Sequence, residues 1–298
     1  MTPLPSRLLV IDGHAFAYRA FFAIRQLSSP TGSATNAIYG FIKMVDKLRA
    51  TLAPSHLLVV WDGGLALERT SALPEYKTQR PPMPENLGHQ IDSLQRYLDA
   101  ARVASYCRDG VEADDWIASM TRQAVAAGLP VIIASTDKDF MQLVRTGQVG
   151  LVNSNDKSEK IWTDEDVRAK TGVAPAQIVD WLSLLGDSVD NIPGVPGVGP
   201  KTATDLLQQF DSVDSLYTRL GEVKSDRLRA NLQAASDIVQ RNKQLIRLKD
   251  DFADVWPLEK TAFQTAQPQH LRPLYAEWGF KTLLAQLSPE PEQPSLFS

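Results

Sequence analysis

A chain of 298 residues with 43% hydrophobic and 22% charged composition can bury a real core and is too apolar to remain an unfolded polyelectrolyte. Its one cysteine, Cys107, excludes an intrachain disulfide and fits a reducing, cytoplasmic setting. The first apolar run is cut off by Asp12, too early for a signal-peptide core, and no stretch nears the roughly 18 apolar residues of a membrane span, so a soluble protein with no membrane partner is expected.

From the N-terminus, "RLLVID" (7–12), "HLLVVWD" (56–62), "RVASYC" (102–107), "PVIIAST" (130–136) and "QVGLVN" (148–153) predict short strands. "NAIYGFIKMVDKLRATL" and "DDWIASMTRQAVAAG" between them carry apolar residues at helical spacing. Alternation of this kind predicts an α/β fold: a mostly parallel central sheet flanked by helices, over residues 1–162. Residues 63–84 interrupt it with a basic, proline-rich connection that has no core stripe. The pattern over 163–287 is all-helical. The tail 288–298, rich in proline, is expected to be disordered.

Acidic residues follow the strands. Asp12 ends the first run and Asp62 the second; Glu112, Asp114 and Asp115 follow the third, Asp137 and Asp139 the fourth, and "LLGDSVDNIPG" adds Asp187 and Asp190. Strand ends in a parallel sheet share one edge, so these side chains are expected to meet in one pocket. Taken singly, Asp12 and Asp62 equally suit turns, and Asp114 or Asp115 a helix N-terminus. Repetition at four strand ends favours a shared role. Carboxylates this close repel unless a cation sits among them, and oxygen donors without His or Cys point to Mg²⁺ or Mn²⁺. Two such ions about 4 Å apart would serve an in-line phosphoryl displacement, with some of the acids orienting metal waters.

A net charge of −4 argues against a nucleic-acid partner, until the pocket is set aside. Without those nine carboxylates, 26 of the 35 acids face 31 Lys and Arg. Residues 219–249 carry eight basic against three acidic residues, which suits either a phosphate-contacting face or a solvated helical surface.

"NIPGVPGVGPKTATDLL" (191–207) predicts a helix-hairpin-helix element. Gly194, Gly197 and Gly199 would permit a tight turn, the second helix would begin near Pro200, and its N-terminal amides with Lys201 would hold a duplex phosphate. In "PEYKTQRPP", Lys77 and Arg80 share a face if the segment is helical; they would hold a scissile phosphate while Tyr76 stacks on an unpaired base, although a solvated charge run explains the segment on its own.

"VIDGHAFAYRAFFA", "EYKTQRPPMP", "GVEADDWIAS", "STDKDFMQLV" and "LLGDSVDNIPGVPGVGPKTA" resemble, in order and spacing, the 5′ nuclease domain of bacterial DNA polymerase I and the wider flap endonuclease family, from about residue 7 to 287. The chain is similar to the free-standing version, with the PIN-like 5′ nuclease fold. The resemblance implies Asp12, Asp62, Glu112 and Asp114 around a first metal, Asp137 between two ions, and Asp139, Asp187 and Asp190 in a second group, with Asp115 beside them. It implies Lys77 and Arg80 as catalytic cations in a helical arch over 63–84, through which a single-stranded 5′ end passes. It also implies a potassium ion on the backbone carbonyls of Leu184, Leu185, Pro193, Val195 and Val198, bridging to duplex phosphate. The activity implied is Mg²⁺-dependent 5′→3′ exonuclease and flap endonuclease cleavage of flapped, nicked or branched DNA, RNA-primed included, during replication and repair, by a monomer. A catalytically dead DNA scaffold would need missing carboxylates, and a small-molecule phosphatase would leave the hairpin and arch without a purpose. Within "QPSLFS", Gln293, Leu296 and Phe297 resemble the peptide by which bacterial replication proteins dock on the sliding clamp, with Pro294 a departure; an uninformative tail explains it equally.

Overall fold

Strand β1 (Leu8–Asp12) is buried at every position, which explains a continuous apolar run in place of alternation. The structure is a computed structural model and describes residues 6–153, 160–253 and 256–287. Helix α1 (Gly13–Ala23) follows β1 directly, capped by Asp12, and packs on α2 (Asn36–Leu52). β2 (His56–Trp61) returns beside β1 in parallel, with Leu8 opposite His56 and Asp12 opposite Val60. The connection then forms a short helix, α3 (Leu67–Ala72), before α4 (Glu85–Ala100) and β3 (Ala104–Cys107). α5 (Ala113–Ala126), β4 (Val131–Ser135), a 3-10 turn over Lys138–Leu143 and β5 (Val149–Asn153) complete the parallel part. β6 (Ile161–Trp162), too short to leave a periodic signal, closes the sheet antiparallel to β5. The sheet order is β3-β2-β1-β4-β5-β6.

The pleat sends alternate side chains into two cores. Leu8, Val10, Leu58 and Val60 face one layer together with α5; Leu9, Ile11, Leu57 and Val59 face the other together with α1, α2 and α4. Fully burying each such side chain is worth about 1.5–3 kcal/mol, so both layers are firmly held.

The helical part continues the first layer. It runs through α6 (Asp164–Thr171), α7 (Ile178–Leu185), a two-stranded pair of β7 (Gly186–Asp187) and β8 (Ile192–Pro193), α8 (Pro200–Phe210), α9 (Val213–Thr218), α10 (Asp226–Ala234) and α11 (Ser236–Ile246). Leu182, Leu207, Val239 and Leu245 belong to the same core as Val10 and Ile133, so the expected division near residue 162 does not separate two cores. The last helices, α12 (Pro268–Glu277) and α13 (Lys281–Gln286), leave that layer and pack on the second one. Tyr275 stacks 6.5 Å from Tyr97 and Phe280 meets Tyr39 edge-on at 5.2 Å.

Candidate metal and nucleic-acid site

Strands β1, β2 and β4 end on one edge because they run parallel in near register, and their terminal acids are drawn together there. Asp12 caps α1 through Ala15 N–H at 3.0 Å, and its other oxygen accepts from Ser135 Oγ at 2.7 Å. Ser135 Oγ also accepts from Asp137 N–H at 3.1 Å, and Asp137 from Asp139 N–H at 2.8 Å. Asp62 accepts from Ala113 N–H at 2.8 Å, which fixes it against the first turn of α5, where Glu112 and Asp114 sit. Asp187 ends β7 and Asp190 lies in the turn between β7 and β8. Asp12 thus caps a helix and Asp62 holds the first amide of another, local roles beyond the turn positions that the sequence suggested for them.

The cluster shows in its protonation. Burial pushes the Asp12 carboxyl up to about 7, with Asp62 and Asp137 adding to it against the hydrogen bonds from Ala15 and Ser135. Burial first, then Asp137, Asp12 and Asp62, raises Asp114 well above the carboxylate range; burial, Asp137, Asp187 and Asp190 do the same to Asp139. Glu112 is the exception: burial would raise it, yet Lys77 and Arg69 hold it low.

Besides Arg69, whose Nη1 stands 3.4 Å from Glu112 Oε2, three further cations reach into the group. The Lys77 ammonium lies on Glu112, the Arg80 guanidinium on Asp190, and Lys138 Nζ stands 3.2 Å from Asp187. Each takes one carboxylate, and among the described residues no three His, Cys, Asp or Glu side chains converge as a finished ligand set. The donors nevertheless fit divalent metal: they are hard oxygens, mutually repelling, and Asp139 Oδ1 is buried with no hydrogen-bond partner.

Several expectations are corrected. Lys77 and Arg80 do not share a helical face; residues 74–80 form turns, with Lys77 at φ 58°, and Lys77 N–H donates to Asp190 O at 3.0 Å. The helical arch over 63–84 thus reduces to α3 and a turn segment tethered to the site. Tyr76 is 3% exposed, its hydroxyl 3.2 Å from Glu112 Oε2, and offers no face for a base. Asp115 turns away from the acidic group, because α5 carries it on another face; both its oxygens are held by Arg69 at 2.7 and 2.8 Å, and Lys249 N–H donates to it at 2.8 Å. No first helix forms within 191–207, where the hairpin element was expected: residues 191–199 form β8 and a turn, and the helix that precedes them is α7.

α8 begins at Pro200 with Gly199 as its cap and Lys201 exposed on its first turn. Gly197 sits at φ 79°, and a Cβ at Gly194 would lie 2.0 Å from Leu185 O. Of the carbonyls expected to hold potassium, Leu184 O accepts from Val195 N–H (2.8 Å), Val195 O from Val198 N–H (3.0 Å) and Pro193 O from Asn242 Nδ2 (2.7 Å). In the basic stretch, Arg219, Arg229, Lys243 and Lys249 are engaged in ion pairs with Glu222, Asp226, Asp214 and Glu68, which makes it less of an open phosphate face. The tail residues Gln293, Leu296 and Phe297 lie outside the described residues.

Ser135, Lys138 and Arg69 were not singled out by sequence. Only Lys138 left a signal there, as a lone cation between Asp137 and Asp139.

Residues 7–172 match the family model described as the 5′-3′ exonuclease N-terminal resolvase-like domain, and residues 173–269 the 5′-3′ exonuclease C-terminal SAM fold. The chain is 36% identical to DNA polymerase I of Bacillus caldotenax over 98% of its own length and 34% of that protein's, so it spans about a third of such relatives. It is 34% identical to the 5′-3′ exonuclease of Aquifex aeolicus, over 97% of this chain and 99% of that one. Among solved structures, the bacteriophage T5 flap endonuclease in a pseudo-enzyme-product complex with DNA and metal ions superposes with a TM-score of 0.67 at 21% identity, covering 94% of this chain and 96% of that one. The catalytic core of Rad2 with DNA substrate gives 0.66 at 15% identity, covering 95% and 91%. These two likenesses support the fold; the model matches over most of the chain, with the relatives above 30% identity, carry more, and the chain belongs to the 5′-3′ exonuclease family.

Proposed function

We propose that this protein is a structure-specific 5′ nuclease that hydrolyses DNA phosphodiesters at flapped, nicked or branched junctions, as 5′→3′ exonuclease and flap endonuclease. The observation that carries this reading is the placement of Lys77 and Arg80 on Glu112 and Asp190, at the edge where the other acids gather. A small-molecule phosphatase would have no need of a basic segment tethered to its acids from a neighbouring connection.

Asp12, Asp62, Glu112 and Asp114 would hold one divalent ion, Asp139, Asp187 and Asp190 a second, with Asp137 between them. Bound Mg²⁺ or Mn²⁺ supplies a lowered pKa for its water and neutralises charge on the phosphate. Ser135 holds Asp12 and the Asp137 backbone in one arrangement, and the Tyr76 hydroxyl orients Glu112. Lys77 and Arg80 exchange their carboxylates for the non-bridging oxygens of the scissile phosphate, where negative charge develops. Gly194, Gly197, Gly199 and Lys201 grip duplex phosphate without reading bases, and the carbonyls of Leu184, Leu185, Pro193, Val195 and Val198 would share a K⁺ with that phosphate. The clamp-docking reading of Gln293, Leu296 and Phe297 belongs here too and rests on sequence alone. The same reading makes the protein a cytoplasmic monomer; among the described residues no helix is long and apolar enough to cross a membrane.

The test is a 5′-labelled flap duplex incubated with and without Mg²⁺, using wild type and Asp137→Asn. Release of labelled product only with metal and only by wild type is the expected outcome. Tight binding without cleavage under every condition would replace the nuclease by a DNA scaffold.

A further inference from the structure

Arg69 is 7% exposed, yet it is a full charge on the short helix α3 at the root of the connection. Its guanidinium fork is used completely. Nη1 and Nη2 bind both oxygens of Asp115 at 2.8 and 2.7 Å, Nε donates to Leu245 O at 2.8 Å, and Nη2 also reaches Arg247 O at 3.3 Å. Nη1 lies 3.4 Å from Glu112 Oε2. Asp115 is 3% exposed and accepts Lys249 N–H at 2.8 Å as well. One buried pair therefore joins α3, the first turn of α5 and the chain leaving α11.

Burial of both charges is costly unless their geometry is kept, so the pair tolerates one arrangement only. That arrangement sets Glu112 and Asp114, which precede Asp115 at the start of α5. It also sets the root of the segment that brings Tyr76 and Lys77 to Glu112.

We infer that Arg69 and Asp115 form a positioning pair, which aligns the α5 carboxylates with the root of the basic segment so that the divalent ions meet a preformed ligand set. Neither residue touches substrate. The inference rests on the metal reading above.

The test uses full-length protein with Mn²⁺ as probe, free ion being followed by its paramagnetic resonance signal, beside single-turnover flap cleavage across a Mg²⁺ series. Variants are Asp115→Asn, Arg69→Lys, Arg69→Met, and the double change Arg69→Met with Asp115→Leu, which leaves no charge unpaired if a single variant fails to fold. Each should weaken Mn²⁺ binding and raise the half-saturating Mg²⁺ by about 10–100-fold, the usual effect of removing a partner that orients ligands. The number of ions bound and flap affinity in Ca²⁺ should stay at the wild-type level, and excess Mg²⁺ should restore much of the rate. Arg69→Lys should not rescue, because the fork is lost although the charge remains. Lower melting temperature with unchanged Mn²⁺ affinity would overturn the inference by reducing the pair to a staple. Tighter Mn²⁺ binding by Arg69→Met would overturn it by making Arg69 a competing cation, and loss of one whole ion in Asp115→Asn by making Asp115 a ligand. Wild-type protein that binds no Mn²⁺ would overturn the metal reading itself, and this inference with it.

Discussion

Lys77 sits in the left-handed region at φ 58°, where glycine or asparagine is easier and a long side chain costs about 1 kcal/mol or more. A lysine kept there points to a need for its ammonium, which burial opposes and Glu112, Asp114 and Asp190 hold charged. Lys77→Met keeps the length and removes the charge, so single-turnover cleavage should fall by about 10²–10³-fold while flap binding in Ca²⁺ changes far less. Equal losses in binding and rate would make Lys77 a simple anchor. Arg80→Met should behave alike, since Arg80 holds Asp190 in the same way. Tyr76 was misread from sequence because an aromatic next to two cations suggests stacking; its burial depends on Glu112, 36 residues away, which no local pattern reports.

At the scale of elements, the glycine-rich connection between α7 and α8 offers the sharpest expectation. Gly194→Ala would drive a Cβ into Leu185 O, so β7 and β8 must separate; duplex affinity should fall by roughly tenfold or more, with the single-turnover rate at saturating DNA largely retained. Lys201→Ala should lower the slope of log affinity against log salt by about one, the signature of one lost phosphate contact. An unchanged slope would remove Lys201 from the interface. The parallel strands were legible in the sequence because burial on both faces writes itself as runs such as "LLVI", and the acids were legible because each follows such a run. Less was legible where partners lie far apart. The turns at 74–80 are held by Asp190 O and Glu112, and Asp115 is claimed by Arg69 46 residues earlier. β6, two residues long, depends wholly on its neighbour β5.

Over the whole molecule, two apolar layers hold a sheet whose acids would otherwise push its edge apart. The metal-free protein should record that repulsion in its stability. Asp12 titrates near 3.8 unfolded and about 7 folded, so the fold binds the extra proton in between; this contribution is fully present below about pH 4 and is lost as pH rises through 7. Asp114, Asp137 and Asp139 shift the same way, whereas Glu112 opposes them. The urea midpoint of metal-free protein should thus fall between about pH 5 and 8, and Asp12→Asn should flatten that fall; a midpoint that rises across the range would contradict the assignment. Ions that bind the folded acids should reverse the loss by mass action. Anomalous diffraction from crystals soaked in Mn²⁺ addresses the gathering of these side chains by metal most directly. Two peaks are expected, one among Asp12, Asp62, Glu112 and Asp114 and one among Asp139, Asp187 and Asp190, with Asp137 between; acids left facing Lys77, Arg80 and Lys138 at saturating Mn²⁺, with no peak among them, would contradict that gathering.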